Sequence, residues 1–138
     1  MSEFPITLYH NPDCGTSRNA LAMIEAAGYR PHVVEYLKAG WSQPQLEQLL
    51  AATGLRPRDL LREKGTPASE LGLLDLQVDD AKILDAMIAC PILVNRPIVV
   101  TPLGAKLCRP SQEVLSLLDR QPTHFTKEDG EVVPIARG

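Results

Sequence analysis

Cys14 is the residue in this chain best placed to do covalent chemistry. It stands in "YHNPDCGTSRNALAMI", where a β-prone run, "ITLYH", meets a turn and then a helical pattern. A thiol acts as a nucleophile only as its anion, and an ordinary cysteine ionises near pKa 8.5. Unpaired N–H groups and the dipole at a helix N-terminus favour that anion. Gly15 lets the backbone turn, Thr16 and Ser17 bring hydroxyl donors, and Arg18 adds positive charge. Asp13 opposes, because a neighbouring carboxylate disfavours a thiolate. His10, at the end of the first strand, either supports the thiolate when protonated or hydrogen-bonds the loop.

The spacing around Cys14 excludes two familiar chemistries. A dithiol oxidoreductase has its second cysteine at i+3, and here that position is Ser17. An adduct on Cys14 therefore has no local resolving thiol. A cysteine phosphatase loop has arginine six residues after the nucleophile, where this chain has Ala20. The same spacing recurs in "CPILVNR", from Cys90 to Arg96. There Pro91 lacks an N–H and Ile92, Leu93 and Val94 are bulky, so it is no anion loop. Cys90 reads as a small hydrophobe ending a helix.

Three arginines stand in apolar or proline-marked settings. Arg62 follows "DLL", Arg96 lies in "VNRPIVV", and Arg109 lies in "LCRPS". A tetrahedral oxyanion with about two charges repels an approaching thiolate. Each unit pair at 4 Å is worth on the order of 4 kcal/mol at an effective dielectric of about 20. Two or three guanidinium groups offset such repulsion, and their forks match oxyanion geometry.

The elements that must position these residues follow from pattern. The chain has 138 residues, one ordinary domain in length. At 44% hydrophobic it can bury a core, and a net charge of -3 argues against nucleic acid as the main partner. No apolar run approaches the roughly 18–20 residues of a membrane span, and the start lacks a signal-peptide pattern, so a cytoplasmic protein is expected. Its 3 cysteines, Cys14, Cys90 and Cys108, suit neither a disulfide framework nor a metal site.

"ITLYH", a helix from Thr16 to a stop at Gly28, and "PHVVEYL" predict β-α-β with parallel strands. Residues from about 41 to 90 predict a helical insert. It opens on a Ser42–Gln45 capping box, continues through short helical pieces at "PRDLLREKG" and "PASELGL", and ends with "DDAKILDAMIAC". "PIVVTP" and "AKLC" predict a β-hairpin, and a final helix starts near Ser111. The expected fold class is α/β: a thioredoxin-like (glutaredoxin-like) mixed sheet with a helical insertion. It forms a single domain over 1–121, followed by a polar, loosely held tail over 122–138.

"YHNPDCGTSRNALAMI", "LLRE", "ILVNRPIVVTPLG" and "LCRPS", four separated blocks in order, together resemble the glutaredoxin-dependent arsenate reductases, the ArsC family. The resemblance runs from about Ile6 to Leu118, and faintly into "FTKEDGE". It implies that Cys14 is catalytic, that His10 helps lower its pKa, and that Arg62, Arg96 and Arg109 bind an oxyanion. It also implies an anion-cradling turn of Asn11, Gly15, Thr16 and Ser17, a cis peptide before Pro97, and a packing role for Cys108.

The implied activity is reduction of arsenate, As(V), to arsenite, As(III), through an arsenylated Cys14 resolved by glutathione and glutaredoxin. Glutathione is then a co-substrate, and neither a metal nor a bound organic cofactor is required. Two other readings share the fold. A related thioredoxin-like thiol reductase would use the same pocket on another substrate. An Spx-type regulator would bind RNA polymerase, but that class usually carries the i, i+3 redox pair that Ser17 interrupts.

Overall fold

The computed structural model describes residues 4–119 and two further short strands, 124–126 and 132–134. The chain folds as two compact units. One comprises the chain up to Glu35 and again from Arg96 onward; the other is Tyr36–Asn95.

The first unit is built on a four-stranded sheet in the order β2-β1-β3-β4. Strand β1 is Thr7–His10, β2 is His32–Glu35, β3 is Ile98–Thr101 and β4 is Gly104–Leu107. Helix α1, Gly15–Ala26, makes the crossover between the parallel strands β1 and β2, while β3 pairs antiparallel with both β1 and β4. Strand β1 alternates, so Leu8 and His10 are buried between more open neighbours. Leu8 joins Ile6, Met23, Ile24, Tyr29, Val99, Cys108, Val114, Leu117 and Leu118 in one core.

The predicted β-α-β and hairpin are present. The final helix differs from expectation: Ser111–Leu117 is a 3-10 helix. Its buried residues, Ser111, Val114 and Leu117, recur every third position, which suits three residues per turn rather than 3.6. Thr101 Oγ1 ties the strand to this segment, donating to Leu117 O at 2.7 Å. Within the stretch expected to be a loose tail, His124–Thr126 (β5) and Val132–Pro134 (β6) pair antiparallel. The other residues of 120–138 lie outside those described.

The insert unit is wider than the 41–90 expected. Strand β2 stops at Glu35 and Tyr36 opens a short helix, α2, Tyr36–Ala39. Tyr36 is fully buried, donates from its hydroxyl to Val94 O at 2.9 Å, and packs on Trp41. Helix α3, Gln43–Thr53, starts on the Ser42–Gln45 capping box and ends at Gly54, whose φ of 74° is the left-handed conformation of a helix C-cap. Helix α4 is only Pro57–Leu60, and "PASELGL" forms turns rather than a helix, with left-handed Gly65 just ahead of it and left-handed Gly72 within it. Helix α5, Asp80–Ala89, is capped by Asp79, whose side chain accepts from Lys82 N.

Segments 60–62 and 93–95 run antiparallel through a β-bridge between Leu61 and Val94. Arg62 N donates to Leu93 O and Asn95 N to Leu60 O, both at 2.8 Å.

Candidate active site

Cys14 is the N-cap of α1, in extended conformation, with Gly15 as the first helical residue. The loop before it is tightly held. Cys14 N donates to Asn11 O at 3.0 Å, and Asp13 N donates to Asn11 Oδ1 at 2.9 Å. Arg18, one turn into the helix, reaches back so that Nη1 donates to Pro12 O at 2.6 Å. Gly15 and Thr16 are half-buried at the head of the helix.

The chain returns to Cys14 from two distant points within the same unit. Arg109 Nη1 lies 3.7 Å from Cys14 Sγ and donates to Arg96 O at 3.0 Å. Arg96 is buried, whereas Arg109 stays exposed. The Arg96–Pro97 peptide is cis, and so is Arg109–Pro110, which the sequence reading did not anticipate.

These groups set the state of the thiol. Burial on its own pushes the Cys14 pKa up. Against it, the Ser17 backbone N–H and the Arg96 and Arg109 guanidinium groups bring it down to about 7. Cys14 makes no side-chain cap hydrogen bond of ordinary length, so the Ser17 amide acts on the thiolate over a longer reach. Asp13 is exposed, where solvent screens its opposing charge.

The expectation for the Ser17 hydroxyl is corrected. Ser17 Oγ does not face an anion. Its side chain is fully buried, hydrogen-bonded to His10 Nδ1 at 2.6 Å and accepting from Asn11 N at 3.1 Å. The part of Ser17 that serves the thiol is its amide. His10 meets the same hydroxyl through Nδ1. Burial lowers its pKa, Glu35 opposite it in β2 pulls up, and Arg18 pulls down further, with a net shift below the ordinary histidine value. Its contact with Ser17 Oγ braces the loop. Asn11 likewise holds the loop through its backbone O, its N–H and Oδ1.

The other cysteines have different environments. Burial pushes the Cys108 thiol up to about 12, with Lys106 opposing and Glu113 adding to the rise. Cys108 packs in the core, as the resemblance implied. Cys90 caps the end of α5 in the insert unit and is half-buried, lining an apolar cavity of about 550 Å³ with Leu71, Leu73 and Ala86. Arg62 also belongs to the insert unit. There Nε donates to Lys64 O at 3.0 Å and Nη1 to Asn95 Oδ1 at 3.2 Å. Among the described residues no group of three His, Cys, Asp or Glu could hold a metal ion, and no helix is long and apolar enough to cross a membrane.

A cysteine with a lowered pKa at the N-terminus of the first helix, on a β-α-β/β-β sheet that carries a cis-proline, defines a thioredoxin-like protein with a thiol in cationic surroundings. The chain belongs to the ArsC family, whose model matches residues 9–117. It is 60% identical over 139 aligned positions to an arsenate reductase of Synechocystis sp., covering 100% of this chain and 96% of that one. It is 58% identical to the arsenate reductase of Rhizobium meliloti, covering 96% of each chain. Among solved structures it is similar to the arsenate reductase from Vibrio cholerae, with a TM-score of 0.80 and 37% identity over 85% of this chain and 100% of that one. Sequence reasoning missed the bond by which Arg18 holds the loop at Pro12 O.

Proposed function

We propose that this protein is an arsenate reductase that works through Cys14 and takes its reducing electrons from glutathione and glutaredoxin. The observation that carries the reading is the Arg109 guanidinium at 3.7 Å from a thiol lowered to about 7, in a chain with this identity to proteins named arsenate reductase.

The Cys14 thiolate attacks arsenic and displaces water, forming a Cys14–S–As(V) bond. Arg96 and Arg109 bind the oxyanion and offset its repulsion of the thiolate, with the amides of Gly15, Thr16 and Ser17 adding donors at the helix N-terminus. Arg62 is the third oxyanion-binding arginine that the family resemblance implies. The glutathione thiol replaces a second oxygen as water. A glutaredoxin thiolate then attacks the glutathione sulfur. A glutathione–glutaredoxin disulfide forms, the S–As electron pair stays on arsenic, and As(V) becomes As(III). Hydrolysis of the remaining Cys14–S–As(III) bond releases arsenite and returns the thiol. An external donor is needed because Cys108 is held protonated in the core and position 17 is serine.

The test is purified protein with arsenate, glutathione, glutaredoxin, glutathione reductase and NADPH. NADPH oxidation that requires both arsenate and this protein supports the reading, and oxidation independent of arsenate removes it. Turnover that proceeds without glutathione or glutaredoxin would keep the activity and reassign the donor.

A further inference from the structure

A turn over residues 11–14 delivers Cys14 to the head of α1. Asn11 and Cys14, at its two ends, are buried, while Pro12 and Asp13 at its tip are exposed. An exposed tip gains little rigidity from packing, so hydrogen bonds have to hold it. The ends are tied locally. Asn11 N donates to Ser17 Oγ at 3.1 Å, Cys14 N to Asn11 O at 3.0 Å, and Asp13 N to Asn11 Oδ1 at 2.9 Å, the last an Asx turn.

The tip is tied from farther away. Pro12 lacks an N–H, so its carbonyl is its only polar backbone group, and Arg18 Nη1 donates to that oxygen at 2.6 Å. The helix explains the reach. Arg18 is the fourth residue of α1, and long helical side chains lean back toward the N-terminus, which brings the guanidinium over the turn. Its backbone N–H also donates to Cys14 O at 3.0 Å. One residue therefore grips the turn at two carbonyls, one on each side of Asp13.

The surroundings of the sulfur make its position matter. The Ser17 amide and the Arg96 and Arg109 guanidinium groups act on the thiol over short distances, with Arg109 Nη1 at 3.7 Å from Sγ. A turn free to shift would carry the sulfur away from them and out of line for attack.

We propose that Arg18 is a positioning residue for Cys14: its guanidinium, bound to Pro12 O, clamps the 11–14 turn onto α1 and so fixes the place of the sulfur. The proposal rests on the reading of Cys14 as the nucleophile. Arg18 acts through the backbone of the turn, not by contact with the oxyanion.

The test uses Arg18→Met, which keeps an unbranched stem and removes both donor and charge. Hydrogen exchange of the Asp13 and Cys14 amides, read by NMR, should speed up about ten-fold, while the amides of β3 exchange as in wild type. The Cys14 pKa, read from the pH dependence of iodoacetamide alkylation in a Cys90→Ser background, should rise by about half a unit. That rise should persist in about 1 M salt, where the screening length is about 3 Å and the direct pull of a more distant charge is lost. Arg18→Lys keeps the charge on a shorter stem without the planar fork, and should fall between Arg18→Met and wild type in both readings.

Wild-type exchange at Asp13 and Cys14 in Arg18→Met would overturn the proposal. So would an unchanged Cys14 pKa, or a rise that vanishes in salt, which would make Arg18 a plain charge. Equal acceleration at β3 would make it a general stabiliser and overturn the proposal as well. Neither reading uses an oxyanion. If both come out as stated but wild type reduces no arsenate, only the assigned reaction falls.

Discussion

Arg109 Nη1 lies 3.7 Å from Cys14 Sγ although 95 residues separate the two in sequence. The same nitrogen donates to the carbonyl oxygen of Arg96. One guanidinium therefore meets the reactive sulfur while bonded to the backbone that leads into the cis-proline. Loss of Arg109 removes a cation from the thiolate and a tie from the segment that carries Arg96.

Arg109→Ala should accordingly raise the Cys14 pKa by about half a unit to one unit, the modest size reflecting the exposure of Arg109 to solvent. The pH dependence of Cys14 alkylation checks this. Arg109→Lys should recover part of the shift, since the charge is kept and the planar fork lost.

The three cysteines should separate by reactivity. At pH 7 iodoacetamide should label Cys14 first and Cys90 more slowly, with Cys108 labelled only in denaturant, because burial holds its pKa near 12. Peptide mapping after timed alkylation reads all three. Native labelling of Cys108 at a rate comparable with Cys14 would contradict the assignment.

Stability should depend on pH with two opposite signs. The folded Cys14 pKa, about 7, lies below its unfolded value near 8.5, so the thiolate's contribution is present above about 8.5 and is lost as pH falls through 7. Cys108 has the reverse shift. Its contribution is present below about 8.5 and is lost as pH rises toward 12. Urea unfolding should then show the deficit of Cys14→Ser relative to wild type growing as pH rises from about 7 to 8.5 and persisting above it. Cys108→Ala should weaken the decline at higher pH. On the acid side, buried His10 has a lowered pKa, so stability should fall as pH drops below about 6.5.

Ser17→Ala should cost about 1–3 kcal/mol of stability, because it strips a buried partner from the Asn11 amide and from His10 Nδ1. The Ser17 backbone N–H survives the change, so the Cys14 pKa should move less than in Arg109→Ala. Urea unfolding and pH-dependent alkylation on the same variant separate the two effects.

Gly54→Ala tests the insert unit alone. Gly54 ends α3 at φ 74°, with open space where a Cβ would stand. The cost should therefore be conformational and about 1 kcal/mol, read by thermal or urea unfolding.

Much of this was legible because local rules and tertiary packing agree. The helix at Cys14, the Ser42–Gln45 cap and the hairpin after Pro97 follow from turn residues and periodicity, and the Arg-Pro pairs drew attention to Arg96 and Arg109. What was not legible depends on packing across sequence distance. The direction of the Ser17 hydroxyl is decided by His10 and Asn11, which bury it. The lowered pKa of His10 follows from its burial. The 3-10 winding of Ser111–Leu117 fits burial at every third position, and the bond from Asn95 to Arg62 depends on a bridge between segments 33 residues apart. Tyr36 reads as strand by type but turns into a helix so that its hydroxyl can reach Val94.

The central claim is that Cys14 alone among this chain's thiols carries arsenate reduction, with the second thiol supplied from outside. The direct measurement is arsenite formed from arsenate in the presence of glutathione and glutaredoxin, quantified by chromatography. It compares wild type, Cys14→Ser, and Cys90→Ser combined with Cys108→Ala. Wild type and the double variant should produce arsenite at similar rates, while Cys14→Ser should produce none above the protein-free control. Arsenite formation by Cys14→Ser, or its loss in a folded double variant, would contradict the account.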